Sequence, residues 1–338
     1  MTVIQRDNSA DLLKGFAIIL LVASHVLQFS AQDAGVSYVI PGCSGIMELW
    51  TRSFNMPLFF FVSGLLIGLK PTPDTWKETG RSFVHKMRTL LLPGMTFMLF
   101  RYVIQGTWYF DWFLKVLFVV IVVFLLVRLI AQKLSLSIWW EILMHSIVFI
   151  LWLGISFVWK GDIPTHLGFH KSAISYPYLV MGYYYTVMRG KEYMDKHNWV
   201  VTLSAVLYMG AFYLSSYVLS GRVATYLNAY VAAPAAILVC CKVANALKDR
   251  TGHFFMALKY CGKHSIAIYL IHMFFMVYCT TAALYINSMP ASFSLLLQVV
   301  FGFSGAVPIA AICLAIEYVL AQSKVLNLIC FGKLDQRL

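Results

Sequence analysis

Lys14 and His25 lie eleven positions apart in "LLKGFAIILLVASHVLQFS", residues 12–30, a stretch otherwise apolar enough to cross a membrane. At 3.6 residues per turn that separation is close to three full turns. Asp11 precedes Lys14 by three residues. All three side chains therefore share one helix face, with His25 about 16 Å along the axis from Lys14. An ionisable group among lipid tails is costly and faces the protein interior or a water-filled cavity. A neutral imidazole there is suited to take a proton from a hydroxyl near pH 7. A cation at the membrane edge attracts phosphate, and Asp11 positions it. The bland alternatives are a snorkelling terminal lysine and a histidine bonded to a neighbouring helix.

Other polar groups interrupt the apolar runs. "TRSFNMPLFFFVSGLLIGL", residues 51–69, carries Arg52 and Asn55, with Glu48 four before Arg52 on the same face. Its Ser63, Gly64 and Gly68 permit close helix packing. Glu141 and His145 are four apart in "SIWWEILMHSIVFILWLGISFVW", residues 137–159. Either the carboxylate fixes the tautomer of the histidine, or Glu141 makes a structural ion pair to another helix. "HSIAIYLIHMFFMVY", residues 264–278, holds His264, Tyr269 and His272, and Glu317 stands alone in the last apolar run. Tyr176 and Tyr183 to Tyr185 suit an interfacial aromatic belt. The histidines and acids lie at different depths without ligand spacing, and the seven cysteines read as small hydrophobes, so no metal site is expected.

The elements that must position these groups are membrane helices. The chain is 60% hydrophobic and 12% charged, about half the charge of a soluble domain. The runs are too long for β-barrel strands. The fold class is all-α, a polytopic helical bundle forming one domain over residues 1–338. Ten spans are expected, at about 12–29, 47–69, 90–105, 112–130, 137–158, 173–188, 199–218, 223–241, 264–285 and 296–320. With both termini cytoplasmic, the inner loops collect most of the lysines and arginines, among them Arg128, while Arg52, Lys160, Lys171 and Arg222 stand out on the other side. This placement accounts for the net charge of +12 without a nucleic-acid partner. The basic loops 70–89 and 242–263 meet an anionic substrate or lipid headgroups. The first run is long for a cleaved signal peptide, and Asp11 and Lys14 sit at its start. Nothing in the sequence speaks for or against a homo-oligomer.

Five segments, in order, resemble one family. They are "DLLKGFAIILLVASH" (Asp11 to His25), "FNMPLFFFVSG" (Phe54 to Gly64), "RSFVHKMRTLLLP" (Arg81 to Pro93), "PYLVMGY" (Pro177 to Tyr183) and "SIAIYLIH" (Ser265 to His272). Together they resemble the acyltransferase-3 superfamily of integral membrane acyltransferases, most nearly its fucose 4-O-acetylase-like branch. The family's opening motif has a basic residue, Arg in most members, ten residues before a histidine. Lys14 and His25 keep that spacing, with a point charge in place of the guanidinium fork. The closer branch often has histidine where this chain has Asn55, so Asn55 is given no proton-transfer role.

The resemblance implies O-acyl transfer from acetyl-CoA, a cosubstrate, to a hydroxyl of an envelope polysaccharide or lipid-linked glycan, in the bacterial inner membrane and without a metal. On that reading Lys14, Arg81, Lys86 and Arg88 meet the phosphates of the donor, and its pantetheine arm runs along the first helix to His25. His25 takes the hydroxyl proton as oxygen attacks the thioester carbonyl, Asn55 or Tyr269 donates to the oxyanion, and thiolate leaves. A histidine-borne acyl intermediate is the alternative route. Glu141, His145 and His272 complete the candidate catalytic set. The competing class is a transporter or flippase for a small anion or glycan, which buried charges would also suit.

Overall fold

The computed structural model describes residues 8–35, 46–71, 73–108, 112–159 and 168–334, and the side chains within these except 46–52 and 291. The described residues contain helices and no strand. A helix occupies each of the ten expected positions. Six are long and apolar enough to cross a membrane, Asn8–Asp33, Trp112–Lys133, Ile138–Val158, Asn198–Val218, Gly221–Leu247 and Ser292–Ala321. The stretch expected as one continuous span over 264–285 is instead two helical pieces, Ser265–Phe275 and Thr280–Ser288, bent by 96°.

Polarity is inverted relative to a soluble protein. In the helix Ile138–Val158, Leu143, Ile147, Ile150, Leu151, Ile155 and Val158 are exposed. Glu141, His145, Trp152 and Ser156 on the other face are buried. Apolar residues outward and hydrogen-bonding residues inward is what a hydrocarbon solvent selects.

The chain forms two units. One comprises Met1–Phe59 with Lys191–Glu317, the other Phe60–Gly190 with Tyr318–Leu338. The first is organised around helix α1, Asn8–Asp33, whose Ala17, Ile18, Leu20, Val22 and Ala23 are fully buried. Two glycines set its packing. A Cβ on Gly15 would collide with the backbone carbonyl of Leu258, and one on Gly262 with that of Asp11. Backbone therefore lies on backbone where α1 meets the helix His253–Lys263. Farther along, Gly302 faces Ala23 and Gly305 faces Val26.

The second unit repeats the device. A Cβ on Gly64 would strike the carbonyl of Leu179, and one on Gly182 that of Phe61. Gly68 lies against Thr186, whose hydroxyl donates to the carbonyls of Leu65 and Gly182 at 3.3 Å each. The packing role expected of Gly64 and Gly68 is thus met by the helix Phe169–Val187.

Two π-turns have a common cause. Met87–Leu91 runs into Pro93 and Asn228–Ala232 into Pro234. Proline lacks the N–H and its ring crowds the carbonyl four residues back, so the preceding turn widens.

Alanine at Gly15 or Gly262 is expected to cost about 1–3 kcal/mol, because backbone must move to admit it. Thermal melting in detergent checks this. Gly210→Ala, where a Cβ meets nothing within 4 Å, should melt at or slightly above the parent.

Candidate functional site

The face expected on α1 exists. Lys14 Nζ pairs with Asp11 Oδ1 at 2.9 Å, Asp11 being buried and Lys14 partly exposed. Three turns on, His25 also keeps partial exposure on a helix most of whose residues are buried. Its Nδ1 lies 3.0 Å from Nε2 of His272, and the two ring planes are within 12° of parallel, with centroids 5.2 Å apart. Sequence spacing placed both histidines among the candidates; tertiary structure makes them a pair.

The bend explains how His272 reaches that position. The helix Ser265–Ile271 ends one residue before it, and a 3-10 turn, His272–Phe275, follows. A break inside a membrane frees backbone groups that need partners. Helix α1 supplies them. Ser30 Oγ donates to the Val277 carbonyl at 3.3 Å and accepts from the Cys279 N–H at 3.1 Å. The Thr280 hydroxyl donates to the Asp33 carboxylate. Ser30 and Asp33 are partners of the bend that sequence reasoning missed; a serine five residues after a candidate base carries no signal by itself.

Asn55 is buried, and its Oδ1 finds no hydrogen-bond partner among the described residues. Tyr269 is buried, with its ring 5.9 Å from that of His272. Glu317 is not alone: its Oε2 accepts from His264 Nδ1 at 2.8 Å. Glu48 and Arg52, expected beside Asn55, lie outside the described side chains, and Lys160 outside the described residues.

Glu141 and His145 belong to the second unit and split their partners. Glu141 pairs with Arg128 of the preceding helix, and the Arg128 guanidinium also lies 5.1 Å from the Tyr183 ring. His145 Nδ1 shares a 2.6 Å hydrogen bond with the Tyr176 hydroxyl, stacks on Phe124 at 5.0 Å, and its Nε2 stands 3.8 Å from Glu141. The carboxylate is thus engaged by an interhelical ion pair. Two corrections follow. Arg128, counted among loop bases, points inward to neutralise Glu141. Tyr176, Tyr183 and Tyr184, expected in an interfacial belt, are buried because their rings and hydroxyls surround this cluster.

The basic loop is helical over Trp76–Lys86, capped by Thr75, whose hydroxyl accepts from the Glu78 N–H. Arg81 is exposed, and Lys86 and Arg88 are half-buried. Arg88 Nη2 donates to His85 Nδ1 at 3.2 Å. Burial and the charge of Lys70 hold Lys86 below the usual lysine range. Burial together with Lys86, Arg88 and Lys70 lowers His85. In both, burial disfavours the charged form and the neighbouring cations add to it.

A protein-family model described as an acyltransferase domain matches residues 7–315. No curated protein and no solved structure matches the chain.

Arg128→Met leaves Glu141 buried without its counter-charge and is expected to cost about 3–5 kcal/mol. The double variant Arg128→Met/Glu141→Leu should regain most of that loss, read by thermal melting.

Proposed function

The chain belongs to the acyltransferase-3 family of membrane acyltransferases, and from that premise we propose that it moves an acetyl group from acetyl-CoA to a hydroxyl of a cell-envelope sugar or polysaccharide, in the manner of the fucose 4-O-acetylase-like branch and in a bacterial inner membrane. The observation that carries this reading is His25, an accessible imidazole bonded to a second histidine three turns from the Lys14–Asp11 pair.

The donor is a polyanion at one end and a thioester at the other. Arg81, Lys86 and Arg88 supply the cations its phosphates need. The hydroxyl of the acceptor is a weak nucleophile, and His25 takes its proton during attack on the thioester carbonyl. Tyr269, or the amide of Asn55, donates to the tetrahedral oxyanion. Lys14 is held by Asp11 and acts at the foot of the helix, away from the bond-breaking step.

The broken helix Ser265–Ser288 is the observation that favours a transporter, since discontinuous helices form ion and substrate sites in that class. Here the freed backbone is occupied by Ser30, and the break presents His272 to His25. A transporter or flippase would move a small anion or glycan across sealed vesicles without releasing CoA.

His25→Ala in lipid-reconstituted protein is expected to cut acetyl transfer at least about a hundredfold with melting unchanged; full activity in that variant sinks the proposal. Replacing Arg81, Lys86 and Arg88 by Gln should raise the donor KM about tenfold and leave kcat in place. As pH falls through the lowered pKa of His85, the patch gains a positive charge, so the donor KM should fall on the acid side. The triple variant should flatten that dependence, because it removes the phosphate-binding cations His85 reinforces.

A further inference from the structure

His272 has two constrained nitrogens. Its Nδ1 lies 3.0 Å from the carbonyl of Ile268 and 2.7 Å from that of Tyr269. Carbonyls only accept, so Nδ1 carries the proton, an assignment made from the hydrogen-bond pattern. The lone pair of the neutral ring is then at Nε2, the atom 3.0 Å from His25 Nδ1. That contact requires a donor on the other side. His25 must therefore be protonated at Nδ1, and its own lone pair sits at Nε2.

We propose that His272 is a positioning residue for the acyl transfer, locking His25 as the Nδ1–H tautomer with Nε2 as the basic atom and sharing the charge that atom acquires. This rests on the reading of His25 as the base.

The same geometry couples the two protonations. A proton added to His272 makes both its nitrogens donors. His25 Nδ1 must then accept, and the proton of the neutral His25 ring moves to Nε2. A proton added to His25 enters at Nε2 directly. Either way one extra proton on the pair occupies the basic atom, so the rings titrate as one unit. In the reaction the hydroxyl O–H bond breaks as the O–C bond forms, and the proton goes to His25 Nε2. Collapse of the tetrahedral adduct breaks the C–S bond, and the departing thiolate takes that proton as a thiol. While Nε2 holds it, the Nδ1 proton is shared with His272, whose other N–H stays on the two carbonyls. Charge spread over two rings is stabilised by those carbonyl dipoles in a low-dielectric setting.

Tyr269 is a titratable side chain in ring contact with His272, at 5.9 Å, and Phe29 flanks His25 at 5.8 Å. Asp33, bonded to Thr280 of the helix Thr280–Ser288, is eight residues beyond His25, about 12 Å along the axis. The helix Ala291–Ala321 meets this part of α1 through Gly302 and Gly305, and the helix His253–Lys263 meets α1 at Asp11 and Gly15, about three to four turns away from His25.

The test needs no knowledge of the acceptor. Full-length protein labelled with 15N-histidine and reconstituted in lipid is measured by solid-state NMR at pH 8. His25 is expected to show Nδ1 protonated and Nε2 bare. His272→Gln, whose side-chain carbonyl can accept in place of Nε2, should keep that tautomer, and His272→Ala should lose it to the Nε2–H form. A bare Nδ1 in the parent, or an unchanged tautomer in His272→Ala, overturns the proposal. CoA release from acetyl-CoA, with membranes as acceptor source, supplies the second readout. His272→Ala should lower kcat at least about tenfold at an unchanged donor KM, and His272→Gln should return it to within about threefold. In His272→Gln the acid limb of the pH profile should move to lower pH, since an amide takes no proton. Equal rates and an unmoved limb in both variants overturn the proposal, and if His272→Ala does not fold, the unmoved limb of His272→Gln alone does so. Activity retained in His25→Ala would instead remove the base reading itself, leaving the tautomer result to be judged separately.

Discussion

A polar group removed from water must find its partner within the protein, and in a chain this apolar that requirement organises everything else. A backbone amide left unbonded in hydrocarbon costs several kcal/mol. Helices meet the demand for most residues. The exceptions are then informative, because each has to be answered by a particular side chain. The opening between Phe275 and Thr280 is such an exception, and Ser30 answers it from α1 by bonding the Val277 carbonyl and the Cys279 amide. Without it the bend that delivers His272 would leave that carbonyl and amide without this partner. The histidine pair is thus a consequence of a satisfied break.

Close approach is the second constraint. Lipid offers no hydrophobic drive for helices to associate, so they gain stability from contact area and from small residues that allow it. Gly15 with Gly262, and Gly64 with Gly182, each bring backbone against backbone within their own unit. The first of these contacts lies immediately beside the Lys14–Asp11 pair. The buried Arg128–Glu141 pair shows the converse cost: a carboxylate kept away from solvent takes a guanidinium, with an imidazole 3.8 Å away that is itself bonded to the Tyr176 hydroxyl.

Much of the candidate site was legible from spacing alone. Three residues and eleven residues are near-integral numbers of helical turns, so Asp11, Lys14 and His25 share a face in any α-helix, and the Lys14–Asp11 pair follows locally. Gly64 and Gly68 were readable as packing positions for the same reason. Glu141 and His145 were readable as cofacial, but which of two partners the carboxylate would take was open. The choice fell to Arg128, a residue whose place near a helix end made it look like a loop cation. The tyrosines of 176–185 misled because amphipathic rings suit both a membrane interface and a buried polar cluster, and composition does not separate the two.

The amino-acid sequence by itself determined the solvent, the helices and the face that Asp11, Lys14 and His25 share, because hydropathy and the 3.6-residue period act over neighbours in the chain. Only the tertiary structure decided that His25 meets a residue 247 positions away and that a span expected to be continuous is bent. Those features depend on hydrogen-bond partners contributed by distant segments, and the direction of a hydrogen bond has no periodicity for a sequence to record.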